Sequence, residues 1–300
     1  MSHLGVVVMS YGTPSAIEEI EPYYTHIRRG RPPSRQQLDE LVARYEAIGG
    51  LSPLGVNTAA QRDAIERAVA SRWQGEVTVC TGNKHVAPFI EDAVAGLDDC
   101  DIVVGVVLAP HFSAFSVGEY HSRARARCSR NYRAVDHWFH LDPYVEFYAD
   151  QVSSQLAPGN AEHARQWVIF TAHSLPERVL VGDPYIDQLT QAAQLIRDVA
   201  TEPFEVLLGW QSAGRTPEPW IGPDILDLID QAANESVQRV IVVPHGFTSD
   251  HLEVLYDLDI EAATRAAQAG VEFMRTQVVG NTPTVMDALG RHIVDLAEAS

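Results

Sequence analysis

No stretch of this chain approaches the ~20 consecutive apolar residues that a membrane-crossing helix requires. Nor does the N-terminus carry a basic segment ahead of an apolar core. It runs almost directly into an apolar strand at Leu4–Met9, so no signal peptide is expected and the predicted location is the cytoplasm. Cysteine is scarce. Cys80, Cys100 and Cys128 are odd in number and widely spaced, which gives no disulfide framework and no zinc or iron–sulfur spacing, and they read as free thiols. The glycine patterns that cradle nucleotide phosphates are absent, so no nucleotide is expected. Lysine is almost missing. Lys84 is the only one, and every other fixed positive side-chain charge is arginine. A general arginine bias explains the others but not why a lysine survives at this one place.

What is present is acid. Forty Asp and Glu face 22 Lys and Arg, a formal charge of -18. A field of that sign repels nucleic acid and anionic membrane surfaces and attracts cations, although solubility is the plainer reading. The 300 residues fit two domains of about 150 each, and a 46% hydrophobic content is enough for two cores.

Short β-branched apolar runs alternate with amphipathic stretches. Strands are expected at Leu4–Met9, Val77–Thr81, Ile102–Leu108, Trp138–Leu141, Trp167–Thr171, Phe204–Leu208, Val240–Val243 and Val271–Arg275. Helices are expected at Ala87–Leu97, Gly118–Asn131, Pro184–Val199, Pro223–Ala233, Asp250–Ala269 and Thr284–Ala297. Strands that are apolar throughout indicate parallel sheets covered on both faces, hence an α/β fold of the doubly wound class. The halves echo each other: Val107-Leu108-Ala109-Pro110-His111-Phe112 resembles Val242-Val243-Pro244-His245-Gly246-Phe247. This predicts two domains of similar topology, divided near Pro143–Pro158, with a surface turn at Ala157-Pro158-Gly159-Asn160.

Ligands of parallel α/β sheets bind beyond the carboxyl ends of the strands, so the residues there are the ones to read. His173 follows the apolar run Val168–Ala172, where a neutral imidazole can ligate a metal or accept a proton. The alternative is a histidine bonded to a loop carbonyl. Glu253, Asp257 and Glu261 lie at i, i+4 and i+8 and form one ridge of carboxylates on a helix. Such like-charged neighbours cost roughly 0.2–0.5 kcal/mol per pair. Either this is a solvated helix face, or it is a ladder of oxygen ligands leading a divalent cation toward Glu253. In the N-terminal half, Tyr23 and Tyr24 stand beside Arg28, Arg29 and Arg31, followed by Arg44 and Tyr45. Arginine forks and aromatic faces suit a large planar ring with carboxylates. Salt bridges to local acids and packing of the tyrosines are the alternatives.

Taken together, these segments resemble the ferrochelatases, most closely the short soluble bacterial coproporphyrin enzymes. The resemblance is carried, in order and nearly end to end, by Met9-Ser10-Tyr11-Gly12-Thr13-Pro14, Tyr23–Gly30, Arg44-Tyr45-Glu46-Ala47-Ile48-Gly49-Gly50, Leu108–Ser113, Ala172-His173-Ser174-Leu175-Pro176 and Asp250–Asp257. Gly209-Trp210-Gln211-Ser212 and Thr216–Trp220 also fit. It implies two Rossmann-like domains, residues 1–145 and 146–275, with the active cleft between them and the final helix, within 276–300, returning to the first. By motif position His173 and Glu253 are similar to the family's iron-side pair, and Tyr11 to the residue on the opposite porphyrin face. Arg28, Arg44, Tyr45, Ser52 and Tyr120 match positions that hold the porphyrin carboxylates. Lys84 matches a lysine at the cleft mouth. Asp257 and Glu261 match an outer metal site that takes magnesium in relatives.

The resemblance thus implies a lyase of haem biosynthesis whose substrates are ferrous iron and coproporphyrin III. It implies no iron–sulfur cluster, no membrane or nucleic-acid partner, a monomer, and a transient handover to a coprohaem decarboxylase. The four-carboxylate ring suits the arginine and hydroxyl cluster better than protoporphyrin, which has two propionates. Protoporphyrin chelation, insertion of cobalt or nickel into another tetrapyrrole, and a non-catalytic porphyrin or haem carrier are the rival readings. A periplasmic-type binding protein is disfavoured by the lack of a signal peptide. His245 stands where a close relative would have an apolar residue, and the sequence offers no reason for it.

Overall fold

A computed structural model describes residues 2–156, 165–214 and 216–299. The first half runs β1 (His3–Ser10), α1 (Ile20–Ile27), α2 (Arg35–Ala47), α3 (Leu54–Ala70), β2 (Glu76–Asn83), α4 (Ile90–Ala95), β3 (Ile102–Val107), α5 (Val117–Arg127), β4 (Asn131–Val135) and α6 (Asp142–Gln155). The second runs β5 (Gln166–His173), α7 (Tyr185–Val199), β6 (Val206–Gln211), α8 (Ile225–Asn234), β7 (Arg239–Val243), a π-helix (Val254–Ala262), α9 (Ala263–Ala269), β8 (Glu272–Arg275) and α10 (Pro283–Glu298).

Among the described residues, eight strands form two four-stranded sheets, ordered β2-β1-β3-β4 and β6-β5-β7-β8, and every pairing is parallel. The two orders are the same once the second half is renumbered, as the sequence echo predicts. Each is a doubly wound arrangement whose strand order reverses beside its first strand, so the ligand site is expected beyond the ends of β1 and β5. The echoed Pro-His turns meet. The rings of His111 and His245 pack edge to face, 5.1 Å apart, both buried where the halves join.

One apolar core runs through both sheets. Leu4, Val6 and Val8 of β1 and Val104 and Val106 of β3 share it with Val168 and Phe170 of β5 and Ile241 and Val243 of β7. Helices α6 and α10 fill the space between, with Tyr144, Tyr148, Leu289 and Ile293 fully buried. Burying a large apolar side chain is worth roughly 1.5–3 kcal/mol, so this shared core ties the halves together. Helix α10 packs on α3 of the first half. Gly290 makes the approach feasible, because a Cβ there would lie 2.4 Å from the Ala68 Cβ.

Local signals account for several boundaries. Ser34 and Gln37 exchange bonds in a capping box that starts α2, Asp224 caps α8 by accepting from Leu226 N–H, and α9 stops at Gly270 with a left-handed backbone.

Two expectations are corrected. Trp138–Leu141 is not a strand. Its backbone N–H groups at Trp138 and Phe139 both donate to the Pro110 carbonyl, and these residues form a buried loop whose apolar burst imitates a strand. The fourth strand is Asn131–Val135, a half-exposed edge with little apolar signature. The segment near Pro143–Pro158, where the two halves were expected to divide, is helix α6 through Gln155, and α6 contributes to the shared core; the turn expected at Ala157–Asn160 lies outside the described residues. The other correction is that the uniform helix expected over Asp250–Ala269 is a π-helix through Val254–Ala262 before it becomes α9. Its wider i→i+5 bonding is rare and is met mostly at functional sites. No helix among the described residues is long and apolar enough to cross a membrane.

Candidate active site

The carboxyl ends of both sheets open onto one cleft of about 1310 Å³. All eleven side chains singled out from the sequence line it: Tyr11, Arg28, Arg44, Tyr45, Ser52, Lys84 and Tyr120 from the first half, and His173, Glu253, Asp257 and Glu261 from the second.

His173 is the last residue of β5, and the π-helix begins right after Glu253. The loop between β7 and Glu253 is fastened by the first half. Tyr144 and Tyr148 of α6 donate to the carbonyls of His245 (2.6 Å) and Phe247 (3.2 Å), and Asn57 Nδ2 donates to the Asp250 carbonyl at 2.9 Å. Gly246 lets this loop lie on the end of β5, since a Cβ there would stand 2.5 Å from the Ala172 Cβ. These tethers set Glu253 against His173, with Nε2 and Oε2 3.6 Å apart. His173 also makes the loop-carbonyl bond that was the alternative to a site role. Its Nδ1 donates to Ser174 O at 2.5 Å, which leaves Nε2 to face Glu253 and the cleft. Both side chains keep over a third of their surface accessible from the cleft.

The electrostatics of the pair follow from this geometry. Burial by itself lowers the His173 pKa, but the Glu253 charge and hydrogen bonding outweigh it and the net shift is upward. Burial by itself raises Glu253, but His173, with His251 adding to it, holds the carboxyl well below the usual range. His251 Nε2 is also 3.6 Å from Glu253 Oε2, and its Nδ1 bonds the Ser249 carbonyl at 3.1 Å. Sequence reasoning passed over His251, although its place two residues before Glu253, on the same loop, was a usable signal.

The opposite wall is aromatic. Tyr11, just after β1, is 40% exposed toward the cleft, its ring 4.5 Å from His85 and 6.4 Å from Tyr23. Desolvation, then the negative charge of Glu253, raises its phenol, so it stays neutral. His85 Nδ1 shares a 2.9 Å hydrogen bond with His26 Nδ1, and burial, with the charge of Lys84 behind it, pushes His85 down to about 3. Neither His26 nor His85 was assigned a role from the sequence, where they read only as neighbours of the basic cluster and of Lys84.

The polar groups expected to receive ring carboxylates are spread along the cleft. The Arg28 guanidinium stands 5.6 Å from the Tyr24 ring centre and donates to the Arg31 carbonyl at 3.2 Å, with no carboxylate partner among the described residues. Tyr45 and Tyr120 are almost wholly buried, and the Ser52 hydroxyl accepts from Leu54 N–H. Lys84 is engaged: Nζ meets Glu119 at 2.7 Å and lies 5.1 Å from the Tyr120 ring centre. Arg44 packs 4.6 Å over Tyr256 and reaches Asp257, with Nη1 3.6 Å from Oδ1.

Asp257 is buried and accepts a very short hydrogen bond from Ser212, so the solvated-face reading fails for it; Glu261 is half-buried. Desolvation, joined by the charges of Glu253 and Glu261, pushes the Asp257 carboxyl up to about 6 against the pull of Ser212 and Arg44. Ser212 holds a left-handed backbone, φ 60°, as it presents its hydroxyl. Among the described residues, no three His, Cys, Asp or Glu side chains already converge in a metal-holding arrangement.

His245 now has an account. It is fully buried, stacks edge-on to Phe170 and His111, and its Nε2–H bonds the Leu189 carbonyl at 3.2 Å. It is a core residue beneath the cleft, and its own ring is not part of the cleft lining.

The family model described as Ferrochelatase matches residues 3–296. The coproporphyrin III ferrochelatase of Anoxybacillus flavithermus is 42% identical over 302 residues, covering 97% of this chain and 96% of the relative. That of Bacillus subtilis is 42% identical over 297 residues, with 95% of each chain covered. Among solved structures, SirB from Bacillus subtilis with Fe3+ is similar in fold, with a TM-score of 0.56 at 14% identity over 99% of this chain and 96% of that one. CbiX, the terminal enzyme for siroheme biosynthesis in denitrifying bacteria, gives 0.52 at 13% identity over the whole of both chains.

Proposed function

The chain belongs to the ferrochelatase family, and we propose that it inserts ferrous iron into coproporphyrin III held between the Tyr11 wall and the His173–Glu253 wall. The observation that carries this reading is the pairing of His173 Nε2 with Glu253 Oε2 at 3.6 Å, in a cleft that Tyr11 of the first half also lines. A planar macrocycle fits a cleft of about 1310 Å³ with aromatic groups on one wall.

Iron must displace two pyrrole N–H protons. His173, once neutral, takes protons at Nε2, and the Glu253 carboxylate stabilises the imidazolium that forms and balances the charge of the arriving metal. Serving as base and serving as iron ligand use the same Nε2 lone pair, so the two roles alternate. Tyr11, neutral and on the far side, offers a phenol oxygen to the other face of the ring.

Arg28, Arg44, Tyr45, Ser52, Lys84 and Tyr120 receive the ring carboxylates. That number of charged and hydroxyl groups suits four propionates, and the relatives named above bear the name of the coproporphyrin enzyme. Asp257 and Glu261 hold an outer magnesium, for which hard oxygen ligands are the fitting set. The chain acts as a cytoplasmic monomer and hands coprohaem to a decarboxylase in a transient contact.

The test is direct. Purified protein is mixed anaerobically with ferrous iron and, in parallel, with coproporphyrin III, protoporphyrin and an uncharged coproporphyrin ester. Metallation is followed by absorbance. Fast metallation of coproporphyrin III over the other rings is expected. Binding of porphyrin with no metallation of any ring would establish a carrier instead.

A further inference from the structure

Apart from the cleft, the described residues hold one other cluster of imidazoles. His137 and His140 lie in the loop after β4, and His292 lies on α10; none of the three lines the cleft. The two loop nitrogens, His137 Nδ1 and His140 Nδ1, face each other at 3.3 Å. This is a long hydrogen bond between the two rings, beyond the usual ~2.7–3.2 Å and longer than the 2.9 Å His26–His85 bond in the same molecule. It is also close to the separation two imidazole nitrogens adopt on one tetrahedral cation. With each metal–nitrogen bond at ~2.0–2.1 Å, they stand about 3.3–3.4 Å apart. The His292 ring is next to this pair, 5.9 Å from His140 centre to centre.

We infer that His137, His140 and His292 form a second, surface site for a late first-row divalent cation, with two imidazoles already at ligand spacing and the third brought in by rotation of the His292 side chain. Imidazole donors select zinc, copper, nickel and iron over calcium or magnesium. The loop fixes the first two ligands, because Trp138 and Phe139 between them are buried and their N–H groups are both anchored to the Pro110 carbonyl. His292 completes no three-ligand set as it stands; it is half-buried on α10 with its ring 5.9 Å from that of His140, centre to centre. Burial, reinforced by the neighbouring imidazoles, lowers His140, and burial likewise lowers His292, so both are neutral lone-pair donors at physiological pH. The carboxylates of Asp142 and Asp295 act on His140 and His292 respectively and offset the charge a cation would bring.

The test titrates the full chain with Zn2+ by calorimetry and with Co2+ by visible absorbance. These metals are compared in wild type, His137→Ala, His140→Ala, His140→Asn and His292→Ala. Wild type is expected to take one more equivalent of Zn2+ than the His137 and His140 variants. His292→Ala keeps that equivalent with an affinity lowered by about an order of magnitude. Co2+ should show the intense absorption of a low-coordinate site in wild type and lose it in His140→Ala and His140→Asn. Equal stoichiometry in wild type and the His137 and His140 variants overturns the site, and an unchanged affinity in His292→Ala overturns the third ligand. Metallation of coproporphyrin, measured on the same variants, is expected to be unchanged, which keeps failure of this site distinct from failure of the cleft reading.

Discussion

Arg44 and Asp257, which sequence motifs place in two different roles, face each other across the cleft with Nη1 3.6 Å from Oδ1. One was expected to hold a ring carboxylate and the other an outer cation. On the proposed roles the contact would make the two interdependent, because a propionate and Asp257 would compete for one guanidinium. It also means that a cation at Asp257 would release Arg44 toward substrate.

Replacing Arg44 with Met should therefore act on both. Loss of a charge-assisted bond of roughly 1.5–3 kcal/mol predicts about 10- to 100-fold weaker coproporphyrin binding, with little change for the uncharged ester. Asp257, already pushed up to about 6, should rise further without its cation. Fluorescence titration of the two rings tests the first part. Equal losses for both would mean that Arg44 supports the fold of the wall instead of reading carboxylates.

His173→Ala should lower the metallation rate by about 10²–10⁴-fold, the usual range for loss of a general base, and leave porphyrin affinity within about twofold. Stopped-flow metallation alongside equilibrium binding separates the two quantities. If turnover survives intact, His173 has no part in the chemistry.

The pH dependence has a definite sign. The His173 pKa is raised above 6.5, so its Nε2 is protonated at low pH, and metallation should climb as pH increases through a value above 6.5. Glu253→Gln removes the charge that outweighs burial. Burial then prevails and His173 should titrate lower, shifting the acid limb of any residual activity downward. Histidine NMR titration of the metal-free protein reads this without turnover. A resonance that titrates identically in both proteins would remove the electrostatic link between the two groups.

Acid stability should depend on His245. Its pKa is depressed from 6.5 to about 4 by burial, so between those values the unfolded chain binds the extra proton and stability falls as pH falls. The loss from this one group is on the order of 3 kcal/mol across the window, and His111 beside it adds in the same direction. His245→Leu gives up the bond to the Leu189 carbonyl, which lies inside α7, and it should flatten the pH dependence. Urea unfolding at several pH values between 4.5 and 7 measures this. Parallel curves for the two proteins would show that other groups carry the acid sensitivity.

Much was written locally. Apolar runs at β1, β3, β5 and β7 and the amphipathic stretch of α7 indicate the α/β class, because burial on both faces of a parallel strand leaves an unbroken apolar run, and burial of one helix face leaves a periodicity, both readable from neighbours alone. The residues after those strands could be named as cleft residues for the same reason: the strand fixes where its carboxyl end points. The 131–135 edge strand was missed because half-exposed edges need no apolar signature. The loop at Trp138–Leu141, with Trp138 and Phe139 buried, took its place because burial alone does not say which way a backbone hydrogen-bonds. The π-helix was equally out of reach, since an i, i+4 spacing of acids fits either helix.

The amino-acid sequence by itself determined the two repeated α/β halves, the family, and which side chains gather at the carboxyl ends of the strands. Only the tertiary structure decided how those gathered residues pair: Arg44 with Asp257, His173 and His251 with Glu253, and His111 with His245. The reason is one of range. Strand and helix patterns are set by neighbours along the chain. The pairings arise when two sheets pack on one shared core and the tyrosines of α6 pin the loop that carries His251 and Glu253, contacts that leave no period in the sequence.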